Sequence, residues 1–199
     1  MRGLFVTFEG IDRSGKTTQA GMLCEALGDD ALGVREPGGT EAGERVRSLL
    51  KDPSVSLSPE AEALLFAAAR SELVNDVILP ALDAGRVVVS DRFLDSSLAY
   101  QGGARGLGIE DVERINHFAT RGLKPDLTFL LDLPPTAAAE RAGETDRFED
   151  EGLELQTAVL SAYERLVRSD PDRWHRLDAS RPPDEVHADV MAAVKEARG

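Results

Sequence analysis

The sequence predicts an α/β protein with a parallel sheet covered by helices on both faces, and three observations carry that expectation. Short apolar or β-branched runs recur along the chain. Longer stretches with helical periodicity separate them, and a glycine-rich loop joins the first run to the first helix.

Leu4 to Glu9 is the first run, ending at Gly10, and Lys16 to Leu27 follows with Ala20, Leu23, Cys24 and Leu27 on a helical period. Val87 to Val89 is a second strand, placed after the turn signal at Gly85. Leu127 to Leu133 is a third, and Trp174 to Leu177 a weaker fourth. The helical stretches are Glu41 to Leu50, Pro59 to Leu82, Ile109 to Thr120, Leu153 to Arg168 and Pro183 to Ala197, rich in Ala, Leu, Glu and Arg. No repeat or low-complexity linker interrupts them, so 1–199 reads as one domain, with the polar segment 140–154 as a loop.

The 199 residues carry 23 Lys and Arg against 36 Asp and Glu, a formal charge of −13 that argues against nucleic acid and membrane surfaces as partners. Apolar stretches such as Leu4 to Phe8 and Ala63 to Ala69 are too short for a signal or membrane-spanning segment, which predicts a soluble, cytoplasmic protein. Cys24 is the only cysteine and sits on an apolar-periodic helix, so it reads as packing. His117, His175 and His187 are far apart and lack metal-site spacing.

Gly10-Ile11-Asp12-Arg13-Ser14-Gly15-Lys16-Thr17 satisfies the Gly-x-x-x-x-Gly-Lys-Ser/Thr pattern between a predicted strand and a predicted helix. Such a loop turns successive N–H groups and a helix N-terminus toward phosphate oxygens. Lys16 can reach the β and γ phosphates and Thr17 can ligate Mg²⁺. Kinase, GTPase and ATPase all remain open on this motif alone. Val87 to Arg92 then delivers Asp91 and Arg92 at a strand's C-terminal end, the edge where open α/β sheets bind ligands. Asp91 can assist Mg²⁺ and Arg92 can grip a phosphate, with a structural ion pair as the alternative and Asp132 as the rival carboxylate.

Phe8 to Asp12, Arg35-Glu36-Pro37-Gly38-Gly39-Thr40, Asp91-Arg92-Phe93 and Ser96 to Gly102 together resemble bacterial thymidylate kinases. Leu65 to Arg70, Pro125 to Thr128, Asp146 to Glu149 and Leu177 to Ser180 extend the resemblance from Leu4 to about Ser180. It implies a P-loop NTPase fold with a five-stranded parallel sheet and a short lid. It also implies a homodimer that uses ATP and Mg²⁺ to convert dTMP to dTDP, with ADP as co-product, on the route to dTTP.

By the same resemblance, Phe66 stacks on thymine and Arg70, one helical turn on, hydrogen-bonds the base. Read in isolation, Phe66 would be core and Arg70 a solvated helix end. Arg35 and Arg92 correspond to the residues that hold the acceptor phosphate, Ser96, Ser97 and Gln101 to polar contacts, and Tyr100 to the ring that crowds the sugar C2′. Asp12 corresponds to the contact of the 3′-hydroxyl, and Glu36 and Pro37 to a loop that closes on sugar and phosphate. The ATP side comprises Gly10 to Thr17, Thr18 and Arg141.

Some members of the family carry an arginine inside the phosphate loop, while others carry glycine there and place the basic residues in the lid. Here Arg13 occupies the loop, and the lid offers only Arg141 and Arg147 among seven acidic residues. Arg13 is therefore expected to meet the charge of the transferring phosphoryl, with Lys16, Asp12, Arg92 and Arg147 completing the catalytic set. A non-catalytic nucleotide-binding scaffold is one alternative to this reading, and two further rivals stand beside it. One is a kinase with another acceptor, such as deoxyuridylate. The other is a GTP-binding switch, whose Asn-Lys-x-Asp signature is approached only by Leu123-Lys124-Pro125-Asp126, without the Asn.

Overall fold

A computed structural model describes residues 2–141 and 152–199. Strands β1 (Phe5–Glu9), β2 (Ala31–Arg35), β3 (Val87–Asp91), β4 (Leu127–Asp132) and β5 (Trp174–Asp178) form one sheet in the order β2-β3-β1-β4-β5, with every pairing parallel. The central strands are buried nearly throughout because helices cover both faces, which explains their unbroken Val, Leu and Phe content. Between the strands run α1 (Lys16–Leu27), α2 (Glu41–Lys51), α3 (Pro59–Leu73), α4 (Leu79–Asp83), α5 (Leu94–Ser97), α6 (Ile109–Ala119), α7 (Pro135–Ala139), α8 (Gly152–Ser169) and α9 (Pro183–Arg198). Among the described residues no helix is long and apolar enough to cross a membrane.

The four strands expected from apolar runs are present within one or two residues of their expected bounds. The periodicity did not reveal β2. It is an edge strand of alternating burial with Gly33 at its centre, where an added Cβ would lie 3.0 Å from the Cys24 sulfur. The expected helix from Pro59 to Leu82 is continuous but changes pitch, widening to a π-helix over Val74–Ile78 before α4. Pro80 supplies the reason: it has no N–H to donate, and its ring would crowd the carbonyl of Asp76 in a regular α-helix. A second π stretch, Leu98–Ala104, extends α5, a helical segment absent from the stretches expected from the sequence.

Aromatic rings pin the sheet to its neighbours. Phe8 stacks on Phe129 across β1 and β4 at 5.3 Å between centroids, and Phe5 meets Phe93 edge-on at 4.8 Å. All four are fully buried, each side chain contributing roughly 1.5–3 kcal/mol of transfer free energy. The register these contacts hold is what builds the site. Phe8 and Arg35 both lie opposite Asp91, so β1, β2 and β3 end in one row, and Glu9, Glu36 and Arg92 leave the sheet side by side.

Candidate active site

The loop from Gly10 to Gly15 joins β1 to α1. A Cβ at Gly10 would stand 2.7 Å from the Leu131 carbonyl oxygen, so only glycine lets the chain turn there. Lys16 begins the helix and folds back over the loop, its Nζ donating to the Ile11 carbonyl at 2.6 Å and to Ser14 Oγ at 3.3 Å. Burial, joined by the positive charge of Arg92, lowers the Lys16 pKa to about 8, while Asp12, Asp91 and Glu9 oppose the shift. Thr17 Oγ1 donates to Asp91 Oδ2 at 2.5 Å, so the hydroxyl and the carboxylate face one another.

Arg92 follows β3 with its backbone in the left-handed region, φ 71°, which swings the guanidinium back over the loop. It donates to the Gly10 carbonyl at 3.1 Å, to Ser96 Oγ at 3.0 Å and to Asp12, and lies over the Tyr100 ring. Asp12 also accepts from Tyr100 OH at 3.0 Å and from Gln156 Nε2 at 2.9 Å, while its own N–H donates to Gln156 Oε1 at 3.3 Å. Burial works to raise the Asp12 pKa, but the charges of Arg92 and Lys16 and the Gln156 and Tyr100 hydrogen bonds prevail and hold it below the usual carboxylate range. Asp12 is thereby fixed as an acceptor.

On the far wall, Arg35 reaches both oxygens of Glu44 from α2 at 3.0 and 3.2 Å. Arg70 is fully buried and its nitrogens face Glu36 at 2.6 and 2.7 Å, Ser97 Oγ at 3.1 Å, the Phe93 carbonyl at 3.2 Å and Asn116 Oδ1. In this structure it organises Ser97 and Glu36 around the cavity, a connection that the sequence reading of Arg70 as a base contact did not contain. Phe66, half-buried, lies one turn before it on α3.

Asp12, Arg13, Lys16, Thr17, Arg35, Glu36, Pro37, Phe66, Arg70, Asp91, Arg92, Ser96, Ser97, Tyr100 and Gln101 line one cavity of about 350 Å³. Gly10, Ile11, Ser14, Gly15, Thr18 and Arg141 lie outside its lining. Ile11 and Ser14 are buried under the loop and Thr18 is exposed. Arg141 instead clasps the loop from behind, donating to the Arg13 and Ser14 carbonyls at 3.2 Å each, and Arg13 returns a bond to the Arg141 carbonyl at 3.2 Å. Asp132 is held by Arg176 at 2.7 Å and does not reach the cavity. Arg147 and most of the segment 140–154 fall outside the described residues.

Arg47 and Lys51 also line the cavity and went unnoticed in the sequence, although their i, i+4 spacing places them on one face of α2. With them the lining holds seven Lys and Arg side chains against three Asp and Glu, in a chain of charge −13. Positive charge concentrated in one concave place suits a polyanionic ligand. Below the floor, Glu9 is fully buried and accepts from Phe93 N–H at 2.8 Å, Ser96 Oγ at 2.6 Å and Tyr163 OH at 2.7 Å. Burial, joined by the charge of Asp95, pushes its pKa up to about 7 against the Ser96 and Tyr163 hydrogen bonds and the charge of Arg92.

A sequence model of the thymidylate kinase family matches residues 8–190. Thymidylate kinases of Thermoanaerobacter sp. strain X514 and Deinococcus radiodurans are 45% and 44% identical to the chain, covering 98% of it and 99% and 98% of their own lengths. The crystal structure of thymidylate kinase from Ehrlichia chaffeensis superposes with a TM-score of 0.83 at 31% identity, over 98% of this chain and 100% of that one. The chain belongs to the thymidylate kinase family.

Proposed function

We propose that this protein transfers the γ-phosphoryl group of ATP to the phosphate of dTMP, giving dTDP and ADP on the way to dTTP. One observation carries the reading: the cations of the phosphate loop and the residues of the acceptor wall share a single cavity. An acceptor phosphate oxygen is already anionic, so no general base is needed. The bond from the γ phosphorus to the β-bridging oxygen breaks as one to the acceptor oxygen forms, and the enzyme's task is positioning and charge.

Arg35 and Arg92 grip the dTMP phosphate, Asp12 accepts from the 3′-hydroxyl, and Phe66 stacks on the base. Lys16 stands at the β and γ phosphates, and Arg13 meets the charge on the transferring group, with Arg147 assisting. Mg²⁺ would be held by Thr17 and Asp91. A hydroxyl beside one carboxylate, with no cage of three or more His, Cys, Asp or Glu among the described residues, fits an ion that keeps most of its ligands from water and phosphate. When bound, it neutralises charge on the β and γ phosphates. The protein acts as a cytoplasmic homodimer, a reading supported by exposed Leu49, Leu64 and Phe118 on the neighbouring helices α2, α3 and α6.

The test is ADP release from ATP with dTMP, dUMP, dCMP or dGMP as acceptor. The expected result is dTMP-dependent ADP formation with the highest kcat/KM for dTMP. No such release, or a clear preference for another monophosphate, overturns the reading.

A further inference from the structure

The amide of Gln101 has two chemically opposite ends, and which of them faces the cavity decides the kind of base edge the wall can accept. Gln101 lies on the π stretch after α5, is 2% exposed and lines the cavity. Its Nε2 donates at 2.9 Å to Oε1 of Glu62, a residue of α3 one turn before Phe66 that is itself 3% exposed and lies outside the cavity lining. Arg105 anchors the same carboxylate, with Nε 3.3 Å from Oε1 and Nη2 3.3 Å from Oε2. A carboxylate beside an arginine only accepts hydrogen bonds. Turning Gln101 over would set its carbonyl oxygen against that carboxylate, two buried acceptors face to face. One N–H of Gln101 is committed to Glu62, which leaves its carbonyl and second N–H for the ligand.

Ser97 is oriented in a comparable way. Its Oγ accepts from Arg70 Nη1 at 3.1 Å, so its own O–H proton points elsewhere and is available as a donor. The wall therefore offers one acceptor and two donors. Thymine and uracil present the complement, an N3–H donor between two carbonyls. Cytosine presents an unprotonated N3 and an amino group at those places, so acceptor would meet acceptor and donor would meet donor.

We propose that Glu62, which touches no substrate, is a specificity-determining positioning residue: it fixes the Gln101 amide with its carbonyl toward the cavity, so that the site takes N3–H pyrimidines and rejects cytosine. This rests on the thymidylate reading above.

The test compares kcat/KM for dTMP and dCMP in the wild-type enzyme and in Glu62→Gln, whose neutral amide can donate as well as accept and so releases Gln101 to turn. The dTMP:dCMP ratio should fall by about tenfold or more, with kcat/KM for dCMP itself rising, while KM for ATP stays within about twofold. A role confined to packing would lower both substrates alike and leave the ratio unmoved. Arg105→Gln, which removes the anchor but keeps the acceptor, should preserve most of the ratio. An unchanged ratio in folded Glu62→Gln, or equal losses in the two variants, overturns the proposal. If Glu62→Gln does not fold, Glu62→Asp takes its place, drawing the acceptor back by one methylene. A fall of about threefold or more is then expected, and no change is fatal. Wild-type turnover of dTMP is measured first: its absence removes the thymidylate reading, whereas dTMP turnover with an unmoved ratio removes this inference alone.

Discussion

Replacing Arg13 by glycine separates catalysis from stability. Arg13 holds φ 60°, a left-handed conformation costing a non-glycine residue roughly 1–2 kcal/mol, which glycine relieves. Against that relief stand, for the contacts between described residues, the loss of the Nη1 bond to the Arg141 carbonyl, about 1 kcal/mol, and the greater freedom of glycine in the unfolded chain, about 0.5–1 kcal/mol. The opposing contributions nearly cancel, so the variant should unfold within a few degrees of the wild type. The Arg141 clasp on the loop carbonyls is made by backbone acceptors and survives the substitution.

Turnover should behave differently. A positioned donor facing transition-state charge is worth about 3–4 kcal/mol, so kcat is expected to drop by about 10²–10³ with KM for ATP and dTMP changed by no more than about threefold. Steady-state ADP release measures kcat and both KM values, and a thermal melt on the same sample confirms the fold. If kcat stays within about threefold of the wild type, or if KM for ATP rises by the same factor that kcat falls, Arg13 is not the residue that meets the transferring charge.

Glu9 links pH to stability. Its carboxyl holds its proton up to about pH 7 in the folded protein, against an ordinary value of 4.5, so it favours folding fully below pH 4.5 and loses that contribution as pH rises to 7. In Glu9→Gln this carboxyl's part of the slope should vanish, and urea unfolding should show the variant gaining on the order of 3 kcal/mol relative to the wild type between pH 4.5 and 8; parallel pH curves would exclude this. Asp91→Asn should raise the Mg²⁺ concentration for half-maximal turnover by about tenfold, read from a metal titration of ADP release, and an unshifted midpoint would remove Asp91 from the metal site. Phe66→Ala should raise KM for dTMP by about tenfold, from about 1–3 kcal/mol of base stacking, and leave KM for ATP alone; equal changes in both would mean a packing defect.

Parts of this molecule could be read directly from its residues because the signals are local. The phosphate loop is one contiguous spacing, and the buried strands β1, β3 and β4 announce themselves by their apolar runs. The stretch from Leu94 to Ala104 did not. Taken by themselves Ser96 and Ser97 suit a turn or a helix cap, yet they lie inside a helix that continues into the π stretch packed against α8. Phe66 illustrates an ambiguity of a different kind, since a helical apolar position says nothing about whether its neighbour is core or cavity. The contacts that orient Asp12 and support Ser96 were out of reach altogether. Gln156 lies 144 residues from Asp12 and Tyr163 lies 154 from Glu9, and no periodicity encodes which polar side chain on α8 a distant loop will meet. Arg70 is the instructive middle case: the family resemblance pointed to it, with a spacing of one turn from Phe66 that agrees, but its partners Glu36, Ser97 and Asn116 come from three other segments.

The π-helical stretch Leu98–Ala104 carries Tyr100 and Gln101, two of the residues lining the acceptor side. A π turn accommodates more residues than an α turn, so losing one residue there would restore α geometry, leave the chain beyond it in phase, and change which side chains of the segment stand where Tyr100 and Gln101 now do. Counting residues then matters as much as choosing them. A one-residue deletion in this segment would turn a new face of the helix toward the nucleotide while leaving its composition almost intact, a route to altered acceptor choice that point substitutions would not sample.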